Sequence, residues 1–246
     1  MVALRLVTSL DPLVLDRVLE RARALPGAVV VFDLDSTLLD NRPRQARILR
    51  EFGQERGIPA LAHAQPRHWV DWSIAHAMEN CGLPASEVAR LVDDAKEFWR
   101  VRFFTSAYCR DDDAIAGARD YLAAVHDVGA FIAYCTGRHE EMRAGSVASF
   151  VRHGFPLPSA NREDRVALLM KPELEINDDT YKDSAYAQLR TLGPAVIAAF
   201  DNEPTHVNGY RAAFPDAFAV HLDTDHSGRP VELLPGIVSV ENFVRA

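Results

Sequence analysis

The apolar run Ala28-Val29-Val30-Val31-Phe32 stops abruptly on Asp33, and Asp35 follows two residues later. Residues two apart in an extended segment point the same way, so both carboxylates can face one site. Held that close, they repel each other unless a cation or a shared proton intervenes. A lone Asp-x-Asp also suits a strand end that turns, so the pair needs company before it means chemistry. Three other apolar runs supply it. Ala130 to Cys135 ends on Thr136-Gly137, Val166 to Met170 ends on Lys171, and Ala195 to Phe200 ends on Asp201. These residue types fit one chemistry. Asp33 is a candidate nucleophile toward phosphorus, and Asp35 a proton donor and acceptor. Thr136 and the Gly137 amide suit phosphate oxygens at a helix N-terminus, and a lysine neutralises phosphoryl charge as a point cation. Asp33 and Asp201 together suit Mg²⁺, which takes one or two carboxylates and keeps room for water and phosphate.

The elements that must position these residues can be read from periodicity. Val29 to Phe32 shows no polar alternation, as in a strand buried on both faces of a parallel sheet, and ligands of such sheets bind beyond the carboxyl ends of the strands. Before it, 11–25 reads as an amphipathic helix capped by Asp11, with Pro12 at its first position. From about Asp113 helices and strands alternate: helix 113–127, strand 130–135, helix 139–153, strand 166–170, helix 179–192, strand 195–200, helix 203–213, strand 217–222. Such alternation means an α/β fold, a Rossmann-like parallel sheet with helices on both faces. Between the first strand and 113 only helix signals appear, over Pro43 to Arg56, Pro66 to Cys81 and a run capped by Ser86. A βαβ unit needs roughly 30 residues, whereas Asp33 and Thr136 stand about 100 apart. We therefore expect a catalytic core of 1–41 and 112–246, with 42–111 inserted as an all-helical cap that emerges at the ligand end of the sheet.

The chain resembles the haloacid dehalogenase (HAD) superfamily in its phosphatase branch. Asp33-Leu34-Asp35-Ser36-Thr37 matches the first family motif, Thr136 after an apolar strand the second, a lysine the third and Asp201 the fourth. The resemblance covers the sheet, and the helical block stands where the family places a C1-type cap. It implies Mg²⁺ held around Asp33, Asp35, Asp201 and Asn202, an aspartyl-phosphate on Asp33 and acid/base work by Asp35. Asp35 argues against the dehalogenase and phosphonatase branches. Two departures stand out. The third-motif lysine is either Lys182, 19 residues before Asp201, or Lys171. The fourth motif lacks its usual second acid: Asn202 is adjacent, and Thr205 and His206 hold the later places. Asp-Asn-x-Pro is similar to the version in small C-terminal-domain-type phosphatases, so Asn202 can still ligate the metal, and Glu203 is a substitute. The reading is a phosphatase of a small phosphorylated metabolite. Its alternatives are a phosphomutase, or a non-catalytic phosphate- or metabolite-binding protein on the same scaffold.

Composition narrows the field. A net charge of −8 argues against nucleic acid as partner. No stretch has the length of a membrane span, and Asp11, Asp16 and Arg17 interrupt the N-terminal region as no signal peptide would. Cys81, Cys109 and Cys135 lack zinc or redox spacing and read as reduced thiols, so a cytoplasmic location is expected. The remaining signals have bland readings. Asp111-Asp112-Asp113 and Asp178-Asp179 suit helix starts. Asp223-x-Asp225-x-Ser227-Gly228 imitates a calcium loop but has Leu234 at its twelfth place. Arg138 reads as structural, and His139 as a capping residue or a phosphate neighbour. His63, His68 and His76 lack ligand spacing. Trp69, Trp72, Trp99, Phe103 and Phe104 read as cap core, with one or two available to a substrate pocket. Arg42, Arg44 and Arg47 do not share a helix face, which favours a solvated surface.

Overall fold

The structure, a computed structural model, describes residues 10–245. Helix α1 (Val14–Ala24) buries Val14, Leu15, Val18, Leu19 and Ala22 along one stripe, and basic residues occupy its last turn. It starts after Leu13, later than the sequence suggests, because Asp11 does not cap it and pairs instead with Arg17. Strand β1 (Val29–Phe32) follows, every residue buried as its unbroken apolar run demands.

Two short strands tie the ends of the helical block together. Strands β2 (Leu39–Asp40) and β3 (Asp113–Ala114) pair antiparallel. Neither is legible in the sequence, since two residues carry no periodicity. Between them lie α2 (Arg42–Glu55), α3 (Ile74–Asn80), α4 (Ala85–Phe103) and α5 (Ser106–Cys109). The helix expected over 66–81 is shorter than its pattern. The Asp71 carboxylate accepts from the Ser73 amide, and Ser73 caps the helix, so 69–73 turns instead of coiling. Ser86 is not a cap either; α4 already begins at Ala85, after Pro84. This block packs its own apolar cluster, built on Ile48, Leu49, Phe52, Trp69, Met78, Leu91 and Phe98.

The sheet then resumes. It contains β4 (Phe131–His139), β5 (Val166–Lys171), β6 (Val196–Asp201), β7 (Phe218–Leu222) and β8 (Val238–Val240), separated by α6 (Ala118–Asp127), α7 (Arg143–His153), α8 (Asp178–Leu192) and α9 (Pro204–Ala213). The strand order is β5-β4-β1-β6-β7-β8, and all pairings are parallel. β8 was not foreseen. β4 outruns its expected end by four residues, so α7 starts after a short 3-10 turn. The chain runs outward from β1 through β4 and β5, then crosses to the other side for β6 to β8. β1 is therefore the topological switch point, where such sheets open a crevice. Apolar clusters cover both faces: one contains Phe32, Ile132, Tyr134 and Phe200, the other Val31, Ala133, Cys135 and Ala199. Among the described residues no helix is long and apolar enough to cross a membrane.

One glycine fixes how the helical block meets the core. A Cβ on Gly145, in α7, would lie 2.3 Å from the Ser106 carbonyl oxygen of α5. Ser106 also accepts the Gly145 amide at 3.1 Å and donates to the Glu141 carbonyl at 2.7 Å. Gly145→Ala is expected to destabilise the fold by about 1–3 kcal/mol, measured by urea unfolding; an unchanged midpoint would show that α5 yields freely.

Candidate active site

Asp33 continues β1 at the switch point, its amide bonded to the Phe200 carbonyl at 2.9 Å. After Asp35 the chain turns back sharply. Ser36 takes a left-handed φ of 59°, rare for a residue with a side chain, and the amides of Thr37, Leu38 and Leu39 all reach the Leu34 carbonyl. Asp201 ends β6, in register with Asp33's strand.

Lys182 bridges the two strand ends. It lies on the buried face of α8 with Tyr181, Ala185 and Leu189. Its Nζ donates to Asp33 Oδ1 at 2.7 Å, to Asp201 Oδ2 at 2.9 Å and to the Cys135 carbonyl at 2.6 Å. Those acceptors use all three ammonium donors. Lys171, the other candidate, is engaged elsewhere. Its Nζ meets the carbonyls of Leu174 and Ile176 and the Asp178 carboxylate, and so fastens the β5–α8 loop. The structure thus brings Lys182, not Lys171, to Asp33.

Thr136 and Gly137 line the same cavity as Asp33, Asp35, Asp201 and Asn202. They lie within β4 and not at a helix N-terminus, a correction that follows from the strand's extra length. The Thr136 hydroxyl accepts the Arg138 amide at 3.2 Å. A Cβ on Gly137 would sit 2.7 Å from Asp178 Oδ2, so a larger residue there would displace that carboxylate. His139 is buried and pairs with Lys171 across the β4–β5 register shift.

The electrostatics divide the carboxylates. Burial pushes the Asp33 carboxyl up to about 7, with Lys182 opposing it and Asp201 adding to it. Asp201 is buried too, but Lys182 and His206 hold it well below the usual range. Asp35 is likewise held low: burial opposes ionisation, and Arg138 and then Arg44 override it. Arg138 grips Asp35 with Nε on Oδ2 and Nη2 on Oδ1, both at 2.8 Å, while Arg44 Nη2 reaches Oδ1 at 2.5 Å.

The chain was compared with known proteins. No protein-family model matches it. It is 28% identical over 158 residues to a phosphoglycolate phosphatase of Pseudomonas putida, an alignment spanning 58% of this chain and 57% of that protein. Among solved structures, a phosphatase candidate from Clostridium difficile superposes with a TM-score of 0.53 at 12% identity, over 88% of this chain and 95% of that one. Protein tyrosine kinase A of Mycobacterium tuberculosis does so with a TM-score of 0.53 at 18% identity, over 88% and 94%. A HAD-superfamily hydrolase from Ehrlichia chaffeensis reaches 0.50 at 13% identity, over 89% and 93%. The chain has the haloacid dehalogenase superfamily fold. These neighbours carry more than one named activity on it, so the chemistry must come from the site.

Within this fold the fourth-motif residues have distinct tasks. Asn202 accepts from the Thr37 hydroxyl at 3.1 Å and donates to the Asp225 carbonyl at 2.6 Å. Glu203 accepts from the amide and hydroxyl of Ser227 and from Arg229. The segment that imitates a calcium loop is therefore a wall of the cavity. His206 stands between Asp179 at 2.9 Å and Asp201 at 3.4 Å; burial lowers its pKa, Asp201 raises it, and the net shift is upward. Among the described residues no three His, Cys, Asp or Glu side chains gather as a metal site by themselves. The donors at the cavity are nonetheless hard oxygens, from two carboxylates and an amide, which fits an ion that keeps several waters and a phosphate oxygen. Mg²⁺ fits that set; Asp33, Asp201 and Asn202 would hold it through side chains. Asp35, its carboxylate taken by guanidinium groups, has its main-chain carbonyl to offer.

Two residues of this site escaped the sequence reading. Arg44, expected at a solvated surface, is fully buried on α2. Asp112, expected at a helix start, is fully buried beside β3, and Asp113 is in a strand. Arg44 Nε meets Asp112 Oδ1 at 2.9 Å, and Arg138 Nη2 meets Asp112 Oδ2 at 2.6 Å. Burial pushes Asp112 up to about 6, with Arg44 and Arg138 opposing the rise. Two arginines and two aspartates thus alternate in a closed ring. A signal for Arg44 exists: the buried stripe Ile48, Leu49, Phe52 extends back at four-residue spacing to Arg44, Gln45 and Ile48. Asp112 offers none. Removing one member of such a buried set leaves the others uncompensated, so Asp112→Ala is expected to cost about 3–5 kcal/mol. The neighbouring pair Asp111–Arg47 is part exposed, and Asp111→Ala is expected to cost about 1 kcal/mol or less. Equal losses in denaturant unfolding would refute the ring's importance.

Proposed function

We propose that the protein is a Mg²⁺-dependent phosphatase of a small phosphorylated compound, working through an aspartyl-phosphate on Asp33. The observation that carries this reading is Lys182, buried behind the cavity and bridging two carboxylates that line it, Asp33 and Asp201, at the strand ends. A cation in that place fixes the nucleophile's orientation and offsets phosphoryl charge. The resemblance of the first motif, the shared fold and the Pseudomonas putida relative support the same reading.

In the proposed reaction Lys182 holds Asp33 Oδ1, and the other carboxylate oxygen attacks phosphorus. Thr136 and Gly137 receive the phosphoryl oxygens. When bound, Mg²⁺ supplies charge neutralisation for nucleophile and phosphate at Asp33, Asp201 and Asn202. Asp35 protonates the departing oxygen and then takes a proton from the attacking water. In this structure its carboxylate is held by Arg138 and Arg44, so either proton transfer at Oδ2 requires Arg138 Nε to release it. The helical block over 42–111, joined to the core where β2 pairs with β3, covers the site. Transfer to a second hydroxyl in place of water, the mutase variant, uses the same groups.

The test is phosphate release from an aryl phosphate and a panel of phosphorylated metabolites, with Mg²⁺ or chelator. Release is expected with Mg²⁺ alone and is expected to fall on the order of 10³-fold or more in Asp33→Asn. Asp35→Asn is expected to accumulate phosphate on Asp33, seen by peptide mass spectrometry of the quenched reaction. Turnover that survives in Asp33→Asn would remove the nucleophile from the mechanism.

A further inference from the structure

The strand ends supply a polar end to the cavity, and the rest of its lining is of another kind. The cavity holds about 680 Å³, enough for a phosphate and a ring of moderate size. From the helical block come Trp72, Phe103 and Phe104, and beside them stand Met142, Leu174 and Ile176. The aromatic group is packed in fixed geometry. Trp99 stacks on Phe103 with centroids 4.3 Å apart, Phe104 meets both edge-on at 5.4 and 5.1 Å, and Trp72 meets Phe103 edge-on at 6.0 Å. Arg44 lies over the Phe103 ring at 3.8 Å and donates to its carbonyl. The charged ring therefore anchors the aromatic wall, which cannot fold away without disturbing Asp35.

The cations near the cavity are all committed. Arg138 uses its donors on Asp35, Asp112 and Ser146. Arg229 is held by Asp179, Glu203, Thr205 and Ser227. Lys171 and Lys182 each have three acceptors, and His206 sits between two aspartates. Glu175, Asp178 and Asp179 add negative charge to the same lining. His226 also lines the cavity, its Nδ1 taken by the Gly228 amide, and among the described residues a second anionic group on a substrate, such as a carboxylate, would be desolvated with no uncommitted lysine or arginine on the lining to receive it.

We infer that the substrate is a phosphomonoester whose alcohol portion is uncharged and carries a flat apolar ring, seated against Trp72, Phe103 and Phe104. The inference rests on the phosphatase reading above and narrows it. It separates this chain from its Pseudomonas putida relative, whose named substrate carries a carboxylate in place of a ring. The ring gains burial and edge-to-face contact, and the acidic lining rejects carboxylates.

The comparison is phenethyl phosphate against phosphoglycolate, both esters of primary alcohols, so that intrinsic reactivity is similar. With Mg²⁺ the wild type is expected to favour phenethyl phosphate by roughly 30-fold or more in kcat/KM. Trp72→Ala is expected to lower that ratio by about tenfold, and Phe104→Leu provides a second reading if Trp72→Ala does not fold. Equal or faster turnover of phosphoglycolate would overturn the inference and leave the phosphatase reading standing. If neither ester turns over, the aryl phosphate and metabolite panel test the phosphatase reading separately, and calorimetric binding of phenylpropyl phosphonate against phosphonopropionate decides the inference: tighter binding of the aromatic phosphonate upholds it, and equal or weaker binding overturns it.

Discussion

Four charges, three fully buried and one half-buried, set the terms for the rest of this molecule. Asp35, Arg44, Asp112 and Arg138 come from four places: the turn after β1, the first turn of α2, the return to the core before β3, and the end of β4. Each side chain would be costly to bury alone, by several kcal/mol. Alternation makes the set tolerable, because every charge has two neighbours of opposite sign. The same alternation makes it specific. A shift of either connection to the helical block moves Arg44 or Asp112 and leaves a charge without its neighbour, so the ring defines where that block stands. Arg44 carries the constraint outward to the Phe103 ring, and Arg138 carries it inward to Thr136 and Gly137, which precede it in β4.

A second constraint comes from topology. A parallel sheet places every strand's carboxyl end on one edge, and the reversal of direction at β1 opens that edge between β4 and β6. Asp33 stands there because its strand is central, and Asp201 stands beside it because β6 pairs with β1. What the sheet alone does not provide is a cation between them. α8 provides it, by turning Lys182 toward the sheet on the same stripe as Tyr181, Ala185 and Leu189. A helix that buries an ammonium among apolar residues does so only because three acceptors meet it.

These two constraints differ in how far they were visible beforehand. The parallel sheet, the inserted helices and the strand-end residues Asp33, Thr136 and Asp201 were legible, because long apolar runs and their terminations are local patterns. The lysine was legible to within two positions; choosing between them needed the direction of α8. The charged ring was not legible. Arg44 and Asp112 are 68 positions apart, and only the pairing of β2 with β3 brings them together. Three arginines that do not share a helix face read as a solvated surface; Arg42 and Arg47 are part exposed and ion-paired, and Arg44 is fully buried. Strand ends were misjudged for a related reason. β4 continues past Thr136 because its partner β5 extends to Lys171, and a partner's length does not appear in a strand's own residues.

The altered fourth motif looks different once its neighbours are known. Asn202 accepts from Thr37 and donates to Asp225, and so joins the first motif to the 223–229 segment. Glu203, one place further on, secures that segment through Ser227 and Arg229. An acid at 202 could accept from Thr37 but could not donate to the Asp225 carbonyl, and it would add a negative charge close to Asp201 and Asp33. The amide therefore avoids a further negative charge beside Asp201 and Asp33 and fixes a wall of the cavity. That wall commits Arg229, and with it a cation that a carboxylate substrate would need. The identity of residue 202 and the charge of the pocket are in this way linked: the hydrogen bonds that hold the wall in place also engage Arg229, a cation of its lining.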